Sequence, residues 1–119
     1  MQKPQVDRLF AAIDAMNPDA FVAFLTPDGI FKFGNSPPVQ GQPAVRALVA
    51  DFWGSLAGSQ HKFLHLWSDG DDVAVHGEVT YQRRDDVRVT VPFVNVFKMN
   101  GDKIAEYLIH IDLAPLFAS

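Results

Sequence analysis

The stretch VTVPFVNVFKMNG, residues 89–101, contains the pattern that decides the fold. Every second residue from Val89 to Met99 is apolar except Asn95, and a period of two is typical of a β-strand with one buried face. The Asn-Gly pair at its end is a hairpin signal, so the next strand should run back antiparallel. The buried row therefore holds one amide, whose burial must be offset by a protein partner, a water or a ligand.

Turn residues divide the chain beyond residue 59 into four predicted strands. The turns are Asp69-Gly70-Asp71, Arg84-Asp85-Asp86 and Asn100-Gly101-Asp102. Because the connections are short, the strands should form an antiparallel meander. The predicted strands lie near 60–67, 73–82, 87–99 and 103–112.

Helical periodicity precedes this sheet. Three helices are predicted: one with the stripe Val6, Leu9, Phe10 and Ile13, a short one after Asn17-Pro18 that reaches Thr26, and one from Pro43 to Gly58 whose stripe includes Leu56. A short strand, 29–33, separates the second and third helices. Helices first and a sheet afterwards is an α+β layout.

Composition narrows the classes of function. The 119 residues fit one domain, 1–119, and the 48% hydrophobic content supplies a core for it. A net charge of −4 argues against a nucleic-acid partner, and the absence of cysteine excludes disulfides and thiolate chemistry. No apolar run approaches the ~20 residues that span a membrane, so we expect a cytoplasmic protein without a membrane partner.

Four stretches carry a resemblance to the SnoaL-like, ketosteroid-isomerase-like superfamily, which is also called nuclear-transport-factor-2-like. They are RLFAAIDAMNPDAFVAFLTPDGIFKF, GQPAVRALVADFW, DDVAVHGEVTYQRRD and VPFVNVFKMNGDKIAEYLIHIDLAPL. The resemblance implies a cone-shaped α+β barrel, a cystatin-like roll in which three N-terminal helices pack on a strongly curved, mainly antiparallel sheet around an apolar pocket. It also implies a homodimer that packs through the outer face of the sheet.

The isomerase residues of that superfamily are missing here. Its first-helix Tyr, its Asp general base and its protonated Asp match Phe10, Phe33 and Asn95 of this chain. Steroid isomerisation by that mechanism is therefore not expected. Asn95 can still donate a hydrogen bond to a ligand oxygen, or it can bond a neighbouring tyrosine or backbone group.

Three further residues are candidates for catalysis. Tyr107 shares the face of the last strand that the resemblance points inward, either beside Asn95 or with its hydroxyl at the rim. Asp112 matches the superfamily's terminal acid, but strict alternation from Tyr107 turns it outward, where it would cap the segment at Pro115. His65 is a neutral-pH base if the face that it shares with Phe63 and Trp67 is the inner one. Asp112 and His65 would then form an acid–base pair.

No metal site is predicted. His61 and His65 lie ~13 Å apart on a strand, and His76 and His110 lie level on strands that are ~10 Å apart, so neither pair chelates one ion. We interpret His76, Glu78 and His110, with Asp112, as a polar cluster on the outer face, either sensitive to pH or bonded as ordinary rim residues. Gly77 lies between His76 and Glu78 and either widens the pocket or permits a bulge.

The aromatic residues supply the walls of the predicted ligand pocket: Phe33, Trp53, Phe63, Trp67, Phe93 and Phe97. The sequence thus predicts a small-molecule pocket protein, an isomerase, cyclase or dehydratase that needs no cofactor and acts by acid–base chemistry on an apolar oxygenated compound. Epoxide hydrolysis fits less well, because its Arg has no match on strand 73–82. The alternative is a binding or dimeric interaction module without catalysis.

Overall fold

Helices alternate with a short strand in the first half of the chain, and a long sheet follows. The computed structural model describes residues 1–118. Its helices are α1 (Lys3–Asp14), α2 (Pro18–Val22), α3 (Gln42–Gly54) and α4 (Ala114–Phe117). Its strands are β1 (Leu25–Phe33), β2 (Val39–Gln40), β3 (Leu56–Asp69), β4 (Asp72–Arg83), β5 (Arg88–Asn100) and β6 (Lys103–Ile111).

The six strands form one sheet in the order β2-β1-β6-β5-β4-β3. The predicted antiparallel meander is confirmed for β3 to β6, and β1 adds to it in parallel along β6. His76, Val94 and His110 are register partners across three strands, as the turns predict. The α+β class is confirmed, and the curled sheet stays open with β2 and β3 as its edges.

Two element boundaries predicted from the sequence are wrong. The second helix ends at Val22, and the Thr26-to-Gly29 segment belongs to β1. An irregular register between Leu25 and Ile30 accommodates Pro27, which has no N–H to donate to a ladder.

The third helix ends at Gly54, so Leu56 starts β3 and does not belong to the helical stripe. The Ser55 hydroxyl donates to the Phe52 carbonyl at 2.6 Å, a local bond that competes with helical continuation.

One face of the sheet packs against the helices and forms the core. On β4 the buried side chains are Val73, Val75, Val79 and Tyr81, with Gly77 between them. Their neighbours on the other face, such as Glu78, remain half-buried. Within the described residues, none of the helices is both long and apolar enough to cross a bilayer.

Candidate active site

A cavity lies between the helices and the inner face of the sheet. Only about 30 Å³ of it admits the centre of a water molecule, so the cavity is narrow. Helices α1 to α3 and every strand except β2 contribute to it. Its walls are Ile13, Phe21, Phe31, Phe33, Val49, Phe52, Trp53, His61, Val79, Tyr81, Phe93, Asn95, Tyr107, Ile109 and Ile111.

Asn95 places an unpartnered acceptor in this wall. Its side chain is 2% exposed, and its Nδ2 donates a long 3.4 Å hydrogen bond to the Tyr107 hydroxyl. Its Oδ1 is buried and has no partner among the described residues. The amide thus bonds a neighbouring tyrosine through its nitrogen, as one of the two sequence interpretations has it, and a bond to a ligand stays a prediction. The free group accepts, whereas the sequence suggested a donor.

Two phenols accompany this amide. Burial raises the pKa of Tyr107 and of Tyr81, and the negative charge of Asp14 acts on both in the same direction. Both hydroxyls therefore keep their protons at neutral pH. The Tyr107 oxygen accepts from Asn95, so its own O–H remains able to donate to a ligand.

The ionisable pair at the cavity is Asp14 with His61. The Asp14 carboxylate accepts from the His61 ring Nδ1 at 2.6 Å, from its backbone N–H at 2.8 Å and from the Ser59 hydroxyl at 3.2 Å. Accepting from Nδ1–H fixes the tautomer, which leaves Nε2 with the lone pair of the neutral ring. The histidine side chain is only 10% exposed.

Aromatic neighbours fix the orientation of this imidazole. Phe10 stacks on the His61 ring with centroids 4.9 Å apart, and Phe93 meets it edge-on at 5.4 Å. Phe10 and Phe93 also contact each other in a T-shaped pair. A ring held on two sides and hydrogen-bonded to a carboxylate is pre-positioned for proton transfer.

The predicted pocket walls divide into two groups. Phe33, Trp53 and Phe93 line the cavity, and their contact with a ligand stays a prediction. Phe97 is buried against Tyr107, outside the lining, with ring centroids 4.5 Å apart. Trp67 is 56% exposed on the surface. The ring of Phe63 contacts the ammonium group of Lys3, the first residue of α1.

Asp112 lies outside the cavity. It is exposed in an open groove of about 890 Å³, and its carboxylate accepts from the Ala114 backbone N–H at 3.0 Å at the start of α4. Phe33 and Ile111 line both the groove and the cavity and so stand between them. The structure therefore gives Asp112 the outward, capping placement.

His65 also lies away from the cavity, and the prediction that it shares a face with Phe63 is wrong. Phe63 is opposite Gly77, but the next pair in the ladder is His65 opposite His76, because one extra residue bulges out of β3. The bulge moves His65 to the outer face, where it contacts Trp67 and His76. It does not meet Asp112.

Sequence reasoning missed the Asp14–His61 pair. A signal existed for each residue: Asp14 follows Phe10 by four positions on α1, and His61 precedes Phe63 by two on β3. Each therefore shares a face with an inward-pointing aromatic residue. Their meeting across 47 positions depends on how α1 crosses β3, which no local pattern shows. In residues 1–118, no group of three or more histidines or carboxylates is arranged to hold a metal ion.

Comparison with solved structures shows the same fold at low identity. A Catenulispora acidiphila protein with a ketosteroid-isomerase-like fold, solved with trimethylamine, is 16% identical with a TM-score of 0.87 over 96% of this chain and 89% of its own. A protein from Jannaschia sp. CCS1 that is described as a SnoaL-like polyketide cyclase is 20% identical with a TM-score of 0.82, over 96% of this chain and 87% of its own. A Mycobacterium tuberculosis LEH-like epoxide hydrolase is 18% identical with a TM-score of 0.79, over 96% and 84%.

Sequence comparison identifies the family directly. None of the curated protein sequences matches this chain significantly. The family model of the SnoaL-like domain matches residues 6–107, from the first turns of α1 to the middle of β6. That match includes Asp14, His61, Asn95 and Tyr107. The chain therefore belongs to the SnoaL-like domain family.

Proposed function

We propose that this protein is an acid–base enzyme of the isomerase, cyclase or dehydratase type that acts on a small, apolar, oxygenated molecule without a cofactor. One observation carries the proposal: a carboxylate-bound histidine and an unpartnered amide oxygen line or adjoin the same apolar cavity. The solved relatives described as a polyketide cyclase and an epoxide hydrolase support it, since both names refer to oxygenated organic substrates.

The amide and phenol define how a substrate oxygen is held. A substrate hydroxyl donates to Asn95 Oδ1 and accepts from the Tyr107 O–H, which satisfies the buried acceptor. A carbonyl oxygen accepts from the phenol alone. Because the surrounding walls are apolar, each such bond is stronger than it is in water and helps to orient the molecule.

His61 moves the proton. Its Nε2 takes a proton from a carbon next to the substrate carbonyl, and the electron pair moves onto the oxygen held by Tyr107. Asp14 stabilises the imidazolium that forms. The imidazolium then returns the proton to another carbon, which completes an isomerisation, or to a departing hydroxyl, which completes a dehydration.

The position of Asp14 supports a functional role. It is the last residue of α1, where the helix dipole disfavours a negative charge. Three hydrogen bonds from Ser59 and His61 offset that cost. A carboxylate kept at an unfavourable helix end, and aimed at a cavity histidine, fits a catalytic pair better than a stabilising one.

Deuterium exchange tests the proposal without knowledge of the substrate. The protein is incubated in D₂O with a panel of cyclic ketones and β-hydroxy ketones, and label at the carbon next to the carbonyl is followed by NMR. We expect His61→Gln to slow exchange by about 10²–10⁴-fold, the usual contribution of a general base. Asp14→Asn should slow it by a smaller factor, because the histidine remains.

His65→Gln is the matched control, since it removes an imidazole from the same strand but from the opposite face. It should exchange as fast as the wild type. Equal exchange in His61→Gln and the wild type, or no protein-dependent exchange with any ketone of the panel, would refute the catalytic assignment.

The narrowness of the cavity favours a second candidate function, a binding module without catalysis. A ligand at 100 times its dissociation constant adds about 2.7 kcal/mol to the free energy of unfolding. Thermal stabilisation by compounds that show no exchange would therefore select this candidate.

We also infer that two copies pair through the outer face of the sheet. Val94, Val96 and Leu108 form an apolar group there, and the Glu78–Pro92 pair separates it from the Thr80–Thr90 hydroxyl pair. Such a face suits a two-fold contact with an identical face. Val96→Lys should shift the sedimentation coefficient to that of a monomer, whereas Thr90→Lys, nearer the end of the same strand, should leave a dimer. A monomeric wild type would refute this pairing.

A further inference from the structure

Two histidines lie together on the outer face, at the edge of the sheet. His65 and His76 are direct register partners across β3 and β4. Their Nδ1 atoms lie 3.2 Å apart, and their rings are within 11° of parallel. Trp67 stacks on His65 with centroids 5.4 Å apart and reaches His76 at 6.5 Å. We call His65 and His76 the edge histidine pair.

We propose that the edge histidine pair binds one divalent transition-metal ion that prefers nitrogen ligands, such as Zn²⁺, Ni²⁺ or Cu²⁺. The proposal is independent of the function assigned to the cavity. It concerns β3 and β4 on the face of the sheet opposite to Asp14 and His61.

The spacing of the two nitrogens suits a shared ion. With a metal–nitrogen distance of about 2.0–2.1 Å, nitrogens 3.2 Å apart subtend about 100° at the metal. That angle lies between the roughly 90° of square-planar or octahedral sites and the roughly 109° of tetrahedral sites. Among residues 1–118, no other two histidines are register partners. His61 pairs with Val79, and Val94 lies between His76 and His110.

The chemistry of the pair also favours a metal. Two neutral imidazoles can form one hydrogen bond between their Nδ1 atoms, in which the N–H of one ring donates to the lone pair of the other. A metal ion that replaces the shared proton between the two Nδ1 atoms accepts the lone pairs of both rings. No second hydrogen bond to another residue competes, within the described chain, for the Nδ1 atom of His65 or His76.

The backbone pre-orders the site. The bulge in β3 presents His65 opposite His76, and the hydrogen-bonded ladder continues beyond it to the β3–β4 turn. Both side chains are thus fixed on rigid strands before a metal arrives, which lowers the entropic cost of chelation.

The surroundings attract cations and leave room for further ligands. The net charge is −4, and Asp69, Asp71 and Asp72 occupy the turn beyond Trp67. His65 and Trp67 are exposed, so water or an added ligand can fill the remaining positions of the ion. Glu78 follows His76 on the same face, where its register partner is Lys62.

Calorimetry with Zn²⁺ on tag-free, metal-stripped protein at pH 7.5 tests the proposal. We expect one ion per chain in the wild type, and at least about tenfold weaker binding in His65→Gln and in His76→Gln, because one imidazole cannot chelate. His110→Gln, an imidazole on the same face outside the pair, should bind as the wild type does. Circular dichroism and thermal unfolding establish that each variant is folded.

Trp67 gives a second, local readout. Cu²⁺ at the pair should quench the emission of this exposed tryptophan, and Zn²⁺ should reverse the quenching by competition. Trp67→Phe should lose the quenching and keep the calorimetric signal. The proposal is overturned if wild-type protein binds no Zn²⁺, if His65→Gln and His76→Gln bind like the wild type, or if His110→Gln weakens binding equally.

Discussion

Replacing Gly77 with alanine tests the close approach of β3 to β4 that turns His65 outward. A Cβ atom at this position would lie 2.2 Å from the Lys62 carbonyl oxygen. It would also lie 2.9 Å and 3.0 Å from two ring atoms of Phe93. The oxygen belongs to the backbone of the ladder, and the ring is 3% exposed, so neither can move aside at low cost.

The expected loss follows from these contacts. Overpacking a core costs about 1–3 kcal/mol, and we expect about 3 kcal/mol for Gly77→Ala because the nearest atom is backbone. For 119 residues the entropy of unfolding is about 0.25 kcal/mol per kelvin. The melting temperature should therefore fall by about 12 °C, measured by scanning calorimetry.

Gly54→Ala is the matched control. It makes the same chemical change at the end of α3, where an added Cβ has no atom within 4 Å. Alanine is the better helix former by about 1 kcal/mol, so the melting temperature should stay constant or rise by up to about 4 °C. If the melting temperature of Gly77→Ala stays within about 4 °C of the wild type, β3 and β4 do not need a residue without a side chain at position 77, and the proposed constraint on β3 is refuted.

Three further predictions concern the cavity. Tyr81 and Tyr107 are the only tyrosines, and burial raises the pKa of both, so phenolate absorbance should stay flat through pH 10. Because the pKa values in the folded protein exceed the unfolded value of about 10, the free energy of unfolding should fall as the pH rises above 10. A tyrosine that ionises near pH 10 in the folded protein would contradict this prediction. Asn95→Leu removes a buried, unpartnered acceptor that costs about 1–3 kcal/mol, so the free energy of unfolding in urea should stay constant or rise. Ligands that carry a hydroxyl group should bind this variant more weakly. A fall of more than about 1 kcal/mol in the free energy of unfolding would contradict the interpretation of Asn95 Oδ1 as an unpartnered acceptor. Phe33→Ala should join the cavity to the outer groove and raise the largest ring size that stabilises the protein in thermal-shift assays, and an unchanged size limit would show that Phe33 is no barrier.

The sequence predicted the meander well because its signals are local. Each strand has a period of two, and each turn carries Gly, Asn or Asp, so the level placement of His76 and His110 follows from counting. The same counting failed at His65. One residue inserted into β3 reverses every later side chain, and nothing between Phe63 and His65 signals the insertion. Gly77, on the neighbouring strand, was the available hint.

The acid–base pair was missed for a different reason. The sequence favours Asp112 because it matches the superfamily's terminal acid, and His65 because alternation places it on one face with Phe63 and Trp67. Asp14 and His61 meet only because α1 crosses β3, a contact between distant parts of the chain. Sequence periodicity gives the face on which a residue lies, but it does not give the element that packs against that face.

The features that cost stability collect around one cavity. Asp14 lies at an unfavourable helix end, and Asn95 Oδ1 is buried without a partner among residues 1–118. Elsewhere the local preferences agree with the fold, as in the Asn17 cap of α2. Such conflicts are expected where a protein has been selected for chemistry as well as folding.

The narrowness of the cavity then becomes informative. About 30 Å³ open to water centres holds only a couple of water molecules, which is less than the proposed oxygenated, apolar ligand would need. Phe33 and Ile111 line both this cavity and the groove of Asp112, and they are half-buried, whereas Tyr107 and Asn95 are fully buried. If the proposed substrate binds here, we expect these two side chains to move, and the Phe33→Ala variant tests that expectation.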